Sequence, residues 1–400
     1  MIPAPLPADA VEAILKTDGS NRTLPSLAYA SAEVFAWEQV QLFDGGWVCL
    51  GRTDDLLSPG QLRAIEFGTE TVLLSRSSEG AVAGFSNVCR HRGHELLAVG
   101  EAIDARQIRC PYHSWAYRLD GTLRTAPTLT QSPQFDEADW SLDGFRVDDW
   151  HGWLFANSSG SGQTLGETMG SLGDVISSYE PDRLITVATH EYEIAANWKL
   201  IAENYLECYH CTTIHPALCE VTPPSSGRTL HSDGMWCGGT MDLKSHAETM
   251  SFSGKSGAVP FRNLDPMLAR EVLYLLVMPN LFVSAHPDYI MTHRMRALTP
   301  GRTHVECAWL FAPESVSRPD FDPSYAIEFW DATNREDWTA CEGVQRATGN
   351  RGFRPGPLSS WESSLAKFHA MLGRAYQGDG FIPPPIIEWD PYLGAEQEAL

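Results

Sequence analysis

Two short stretches of the sequence, Cys89-Arg90-His91 and Cys110-Pro111-Tyr112-His113, determine what kind of domain this chain can form. Each stretch supplies one cysteine and one histidine, and both fall between short segments with the composition of β-strands. A [2Fe–2S] centre with two cysteines on one iron and two histidines on the other needs this set of ligands. We therefore predict that Cys89, His91, Cys110 and His113 bind such a cluster from two facing hairpin loops.

A structural zinc site is the main alternative, because zinc also binds sets of two cysteines and two histidines. Zinc fingers usually keep like ligands together, with a cysteine pair followed by a histidine pair. Each loop of this chain mixes the two ligand types instead. The mixed pattern favours the iron–sulfur cluster over zinc.

A second group of metal-binding residue types lies in residues 197–216. Apolar and aromatic side chains recur there at helical spacing, which predicts a helix over 197–212. Glu203, Glu207 and His210 are expected to share one face of that helix. His215 precedes a proline that discourages helix continuation, so a bend can bring both imidazoles to one metal. Two histidines and one carboxylate leave positions open on a ferrous ion for O₂ and substrate.

The motifs also resemble those of a known family. The runs Cys-Arg-His-Arg-Gly at 89–93 and Cys-Pro-Tyr-His-Ser-Trp-Ala-Tyr at 110–117 resemble the Rieske domain of ring-hydroxylating and related non-haem iron oxygenases. The resemblance, to the large oxygenase subunit, extends from about residue 30 to 375. It implies an α+β chain in which an all-β Rieske [2Fe–2S] domain accompanies a helix-grip catalytic domain, an antiparallel sheet with helices.

The domain boundaries follow from this resemblance and from the composition. We predict N-terminal helices at residues 8–16 and 31–45, packing on the catalytic domain as segment 1–45. The Rieske domain is expected over 46–160 and the catalytic domain over 175–400, with a second long helix at 324–347.

The resemblance also supplies the third ligand of the mononuclear iron. Residues 335–346 resemble the ligand-bearing helix of oxygenases that act without a small β subunit, and Asp337 is the candidate in that segment. Glu336 and Asp331 are the fallback choices. The implied metal ligands are therefore His210, His215 and Asp337.

Glu207 has a further role by resemblance. In the family, an acidic residue at this position hydrogen-bonds a metal histidine and, across a subunit boundary, a cluster histidine. Glutamate occurs there in the carnitine and glycine-betaine oxygenases, whereas many aromatic-ring dioxygenases have aspartate. An ordinary exposed helix carboxylate is the plainer alternative. Asn204, one turn earlier, is a candidate either for the open side of the metal or for a donor behind its ligands.

The family's redox chain requires partners. Electrons would pass from NAD(P)H through a separate reductase, in some systems via a ferredoxin, to the cluster and then to Fe(II). No Gly-x-Gly-x-x-Gly motif occurs in this chain, so the reductase must be another protein. The resemblance implies a homotrimer, or two stacked trimers as a hexamer. A simple Rieske electron carrier is disfavoured because it would lack the second metal site.

The composition limits the classes of binding partner and the cellular compartment that we expect. The formal net charge of −22 argues against nucleic acid and against an anionic membrane surface as partners. No secretory leader and no membrane-spanning apolar run are evident, and nine cysteines, an odd number, indicate reduced thiols in the cytoplasm. The Cys208-x-x-Cys211 pair is interpreted as packing because it lies inside the predicted iron helix.

The substrate is inferred from three features. Glu207, the close resemblance of the iron segment to amine oxygenases and the acidic, aromatic-rich composition favour a quaternary or tertiary amine, bound in a cation–π site. An aromatic or aromatic-acid substrate, hydroxylated or cis-dihydroxylated, is the alternative. The candidate substrate-binding aromatics are Trp236, Tyr274, Phe282, Tyr289 and Trp338.

Overall fold

The computed structural model describes residues 2–16, 21–160 and 162–380. It divides into two compact units: an inserted unit, Gln39–Leu165, and a discontinuous unit formed by the residues before and after it. The end of the predicted catalytic domain, residues 381–400, lies outside the described residues. In the described part of the chain, no helix has both the length and the apolar character needed to cross a membrane.

Three helices begin the discontinuous unit: α1 (Ala8–Ile14), α2 (Ser26–Ala30) and α3 (Ala32–Glu38). The helix predicted at 8–16 is confirmed. The helix predicted at 31–45 is regular only to Glu38, and a π-helical turn over Gln39–Asp44 follows it. The N–H of Gly45 bonds the carbonyl of Val40, five residues earlier, which widens this last part.

Short strands and the single α-helical turn α4 (Thr53–Leu56) form the described part of the inserted unit, together with the π-helical turn and two 3₁₀ turns, Leu129–Gln131 and Glu137–Trp140. The strands are β1 (Val48–Arg52), β2 (Gln61–Phe67), β3 (Glu70–Arg76), β4 (Val82–Ser86), β5 (Ala102–Asp104), β6 (Ile108–Arg109), β7 (Ala116–Tyr117), β8 (Leu123–Thr125), β9 (Gly144–Trp150) and β10 (Trp153–Asn157). One sheet has the order β1-β10-β9-β4-β3-β2-β5, and a smaller sheet has the order β6-β7-β8. The loops after β4 and between β6 and β7 carry the four candidate cluster ligands.

One antiparallel sheet dominates the remainder of the discontinuous unit. Its strands are β11 (Ile185–Ile194), β12 (Arg228–Thr229), β13 (Trp236–Asp242), β14 (Glu271–Val277), β15 (Leu281–Ala285), β16 (Ile290–Thr299) and β17 (Arg302–Phe311). They pair in the order β11-β17-β16-β15-β14-β13-β12. The helices are α5 (Leu165–Met169), α6 (Leu172–Ile176), α7 (Trp198–Tyr205), α8 (Cys211–Ile214), α9 (Pro216–Val221), α10 (Pro313–Val316), α11 (Ser324–Thr348) and α12 (Ser363–Gln377). The predicted α+β class is confirmed.

Helix α7 is shorter than the sequence predicts. It begins at the cap residue Asn197, whose side chain accepts the N–H of Lys199 at 3.0 Å, and it ends at Tyr205. Beyond it, the carboxylate of Glu207 accepts the backbone N–H groups of Tyr209 and His210. A side chain that captures backbone donors in this way offers the chain an alternative to another helical turn. The helix predicted over 197–212 is therefore wrong beyond Tyr205.

The shorter helix also changes which acidic residues lie together. Glu203 does not share a face with His210; its Oε1 accepts the Tyr29 hydroxyl at 2.8 Å and lies 3.0 Å from Nε2 of His369. The helix predicted at 324–347 is confirmed as α11, which contacts α7. This contact lets a residue of α11 meet the turn that follows α7.

Candidate metal centres and cavity

The two candidate cluster loops share one backbone design. The N–H of Cys89 donates to the carbonyl of His94, and the N–H of Cys110 donates to that of Trp115, each at 2.8 Å. The fourth residue after each cysteine has positive φ, at 68° and 62°. Glycine adopts that conformation without strain in the first loop. Matching turns therefore present one cysteine and one histidine from each loop.

The side chains of the loops converge. Both cysteines are buried, and the rings of His91 and His113 have centroids 4.6 Å apart. Nδ1 of His113 is buried and has no hydrogen-bond partner among the described residues, as expected for a ligand atom. The hydroxyl of Tyr117 lies 3.4 Å from Sγ of Cys89. These residues fit a [2Fe–2S] cluster whose sulfur atoms accept hydrogen bonds that tune its potential.

The candidate iron ligands meet between α8, α9 and α11. Oδ1 of Asp337 lies 2.8 Å from Nε2 of His215 and 3.5 Å from Nε2 of His210. The three potential ligand atoms lie within 4.8 Å of one another. Two imidazoles and one carboxylate at these distances fit the facial ligand set of a non-haem ferrous ion.

Each histidine of this cluster also bonds a second carboxylate. Nδ1 of His210 lies 2.5 Å from Oε1 of Glu207, and Nδ1 of His215 lies 2.7 Å from Oε2 of Glu336. Burial lowers the pKa of His215, but the hydrogen bonds and charges of Asp337 and Glu336 outweigh it and leave that pKa raised. A bound metal would compete with the proton for the nitrogen that faces Asp337.

The fallback carboxylates occupy other positions. Oδ1 of Asp331 accepts the Tyr192 hydroxyl at 2.6 Å, and its other oxygen pairs with Arg335 at 2.9 Å. Glu336 bonds the side of the His215 ring that is remote from Asp337. Of the three carboxylates considered from the sequence, Asp337 is the one that the structure brings to both histidines.

A cavity of about 210 Å³ adjoins the iron cluster. Asn204 lines it, together with six tryptophan, tyrosine and phenylalanine residues. The sixth is the exposed Trp361, and the other five are called the aromatic wall: Tyr205, Tyr274, Phe282, Trp330 and Trp338. The rings of Tyr205 and Phe282 are stacked with centroids 4.5 Å apart, and Tyr274 meets Tyr205 at 6.0 Å.

The substrate-binding aromatics proposed from the sequence divide into two groups. Tyr274, Phe282 and Trp338 line the cavity, whereas Trp236 and Tyr289 do not. The hydroxyl of Tyr289 bonds the carbonyl of Met250 at 2.8 Å, and its ring packs in the core. Trp330 was missed, although it lies about two turns before Asp337 on the same helix face.

The Cys208-x-x-Cys211 pair differs from its prediction. The two cysteines form a disulfide, with Cα atoms 4.9 Å apart, and both line the cavity. The tight turn after α7 brings residues three apart together. Both side chains are buried, as expected for packing residues, but the expectation of reduced thiols is wrong for this pair. In the part of the chain that the structure describes, the seven other cysteines form no disulfide, and two of them are the candidate cluster ligands Cys89 and Cys110.

Comparison with known proteins identifies the family. Residues 46–136 match the model of the Rieske [2Fe-2S] domain, and residues 181–378 match that of the ring hydroxylating alpha subunit (catalytic domain). The chain therefore belongs to the Rieske oxygenases, as an alpha subunit with a [2Fe–2S] domain and a mononuclear-iron catalytic domain, in enzyme class EC 1.14. In this family a separate reductase supplies electrons from NAD(P)H, and the oxygenases form multimers.

Two curated relatives and one solved structure illustrate the similarity. The glycine betaine monooxygenase oxygenase subunit of Pseudomonas aeruginosa is 27% identical over 386 residues, 89% of each chain. The carnitine monooxygenase oxygenase subunit of Acinetobacter baumannii is 32% identical over 209 residues, 50% of this chain and 54% of that protein. The structure of a quaternary ammonium Rieske monooxygenase has a TM-score of 0.76 at 22% identity, covers 94% of this chain and 100% of that chain, and shows the shared fold.

Proposed function

We propose that this oxygenase component oxidises a small quaternary or tertiary amine at a carbon next to nitrogen, using O₂ and electrons from a separate NAD(P)H reductase. The observation that carries the proposal is the aromatic wall, which lies in the same cavity as His210, His215 and Asp337. Faces of tryptophan, tyrosine and phenylalanine attract cations, by about 2 kcal/mol or more where water is excluded.

The charges around the cavity favour the same kind of substrate. Glu207 and Asp337 are the carboxylates that line it. Arg228 is the basic residue among the lining residues, and its guanidinium pairs with Glu271 at 2.6 Å and with Asp242 at 2.9 Å. The guanidinium of Arg228 is therefore already paired with two carboxylates, which disfavours an anionic substrate at this cavity relative to a cation.

The residues have separate tasks in this reaction. His210, His215 and Asp337 would hold Fe(II), which when bound supplies the capacity to activate O₂. Glu207 orients His210 through Nδ1. The aromatic wall would hold the ammonium group so that a carbon next to nitrogen faces the metal. Hydroxylation at that carbon gives a product that separates into an aldehyde and a smaller amine.

The curated relatives support this substrate class, since their names specify glycine betaine and carnitine. The glutamate at position 207 is the residue type of that subgroup. An aromatic or aromatic-acid substrate is the second candidate, because the stacked rings of Tyr205 and Phe282 would also accept a flat arene.

The test compares a cation with its neutral isostere. Substrate-stimulated O₂ uptake is measured with a surrogate reductase for betaines and tertiary amines, for their analogues with carbon in place of nitrogen, and for aromatic acids. We expect uptake with the amines only, accompanied by an aldehyde. Equal response to the carbon isosteres, or a catechol or cis-diol product from the arenes, would overturn the proposal.

A variant pair examines the aromatic wall itself. Trp338→Leu should raise the KM for the amine at least tenfold, whereas Trp338→Phe keeps a ring face and should retain part of the affinity. Trp361→Leu is a control at a lining tryptophan that is 46% exposed. If both Trp338 variants bind the amine as the parent does, the cation site lies elsewhere.

A further inference from the structure

Glu336 is an acidic residue whose side chain reaches a histidine when it could remain in water. It directly precedes Asp337 on α11, and its side chain is 40% exposed, against 2% for that of His215. Its Oε2 nevertheless lies 2.7 Å from Nδ1 of His215. An exposed carboxylate gains little from an ordinary surface contact, so a bond to a buried ring nitrogen indicates a more specific role.

The bond determines which ring nitrogen of His215 carries hydrogen. A carboxylate only accepts hydrogen bonds, so Nδ1 must donate to Glu336. In the neutral ring, Nε2 then has a lone pair, and this is the nitrogen 2.8 Å from Oδ1 of Asp337. His210 has the same arrangement, with Glu207 on Nδ1 and Asp337 facing Nε2.

We propose that Glu336 is a second positioning residue of the mononuclear iron site, beside Glu207: it orients the His215 ring and holds it in the tautomer whose Nε2 is available to the metal. This inference rests on the proposed function, because it takes His210, His215 and Asp337 as the iron ligands. Adjacent residues of α11 thereby act on opposite edges of one imidazole, Asp337 as a ligand and Glu336 as a support.

The geometry separates this role from a ligand role for Glu336. Its carboxylate lies on the Nδ1 edge of His215, whereas the three clustered ligand atoms lie on the Nε2 edge. Support from behind is common for metal histidines, and loss of such a partner usually lowers metal affinity 10- to 100-fold.

The experiment measures iron affinity in four variants of the full chain. Glu336→Ala removes the acceptor, and Glu336→Gln keeps an acceptor oxygen without the charge. Glu328→Ala is the matched control, an exposed glutamate on the same helix, and His215→Ala is the reference for loss of a ligand. Anaerobic protein is titrated with a ferrous chelator, and the EPR spectrum of the nitric oxide adduct reports the symmetry of the iron.

We expect Glu336→Ala to lower iron affinity 10- to 100-fold, with an altered nitric oxide EPR signal and an unchanged Rieske EPR signal. Glu336→Gln should lose less iron affinity than Glu336→Ala, and Glu328→Ala should bind iron as tightly as the parent. If Glu336→Ala does not fold, Glu336→Gln carries the test through the same two readouts.

Two outcomes separate this inference from the assignment beneath it. If His215→Ala loses iron while both Glu336 variants keep the parental affinity and EPR signal, the positioning role is refuted and the ligand set stands. If His215→Ala itself keeps iron, the ligand assignment fails and the inference fails with it.

Discussion

Five side chains at the candidate iron site occupy two kinds of position around the histidine rings. Asp337 faces the Nε2 atoms of both histidines, whereas Glu207 and Glu336 bond their Nδ1 atoms. The histidines and Asp337 could be proposed from the sequence because the motif around 203–216 is local and the segment around Asp337 resembles a known one. The role of Glu336 could not, since it depends on the rotation of α11 against the turn that carries His215.

The first prediction concerns Asp337. We expect Asp337→Ala to abolish turnover and mononuclear iron binding, because the histidines alone leave the ion with two protein ligands. The visible spectrum of the cluster should not change. Metal analysis and absorption spectra check both statements, with Asp331→Ala as the control for a neighbouring carboxylate. Normal iron content in Asp337→Ala would contradict the assignment.

The second prediction concerns Glu207. Glu207→Gln should retain both metals, since the amide oxygen can still accept from Nδ1 of His210. Electron transfer between the centres should become slower, because the family resemblance implies that this carboxylate connects them and the substitution removes its charge. Single-turnover oxidation of the reduced cluster by stopped flow measures this. Oxidation at the parental rate would rule out the bridging role.

At the scale of elements, side-chain contacts set features of the helices that hydrophobic periodicity could not predict. The hydrophobic periodicity predicted both ends of α11 to within one residue, because its apolar face continues for 25 residues. It overran α7, because the carboxylate of Glu207 captures the next backbone donors. It also missed the buried pair of Glu38 and Lys199, whose nitrogen and oxygen lie 2.7 Å apart with both side chains at 0% exposure.

The third prediction concerns this pair, which joins α3 to α7. Lys199→Ala should lower the free energy of unfolding by about 3–5 kcal/mol, because it leaves a buried carboxylate without its cation. Lys255→Ala breaks an exposed lysine–glutamate pair and should cost less than about 1 kcal/mol. Urea unfolding measures both. Similar unfolding midpoints for the two variants would show that the buried pair stabilises the fold no more than the exposed pair.

The fourth prediction concerns His286, a buried residue that directly follows strand β15. Burial lowers its pKa to about 3, whereas the unfolded chain has about 6.5. Below pH 6.5 the unfolded state binds a proton that the folded state refuses, so stability falls with pH between about 6.5 and 3. At pH 5, His286 alone should lower the free energy of unfolding by about 2 kcal/mol. As the pH falls, the urea unfolding midpoint of His286→Phe should decrease less than that of the parent or of His231→Phe, a control at an exposed histidine. An equal decrease in all three proteins would contradict the prediction.

At the scale of the whole molecule, the family could be recognised from local motifs, but the residues that line the cavity could not be predicted from them. The cysteine and histidine spacing identifies the Rieske domain because each ligand pair lies within four residues. The cavity collects side chains from α7, β13, β14 and α11, so their neighbourhood is fixed by strand order rather than by sequence distance. That is why two of the proposed aromatics lie elsewhere and Trp330 was missed.

The fifth prediction concerns assembly. If electrons cross between subunits, as the family resemblance implies, a cluster-deficient chain can be rescued by an iron-deficient one. Cys110→Ser and Asp337→Ala should each be inactive alone, while doubly tagged mixed oligomers should recover part of the activity. Mixed oligomers without activity, when both parents fold and assemble, would indicate transfer within one chain.

The discontinuous unit has a consequence for biosynthesis. Glu38 accepts hydrogen bonds from Lys199 and from the hydroxyl of Tyr376. Helix α3 therefore cannot make these contacts until the ribosome has synthesised residues much later in the chain. All of Gln39–Leu165 emerges first. At elongation rates of roughly 5–20 residues per second, the delay before Lys199 appears is on the order of ten to thirty seconds. We therefore expect helix α3 to reach its final position only after Lys199 and Tyr376 have been synthesised.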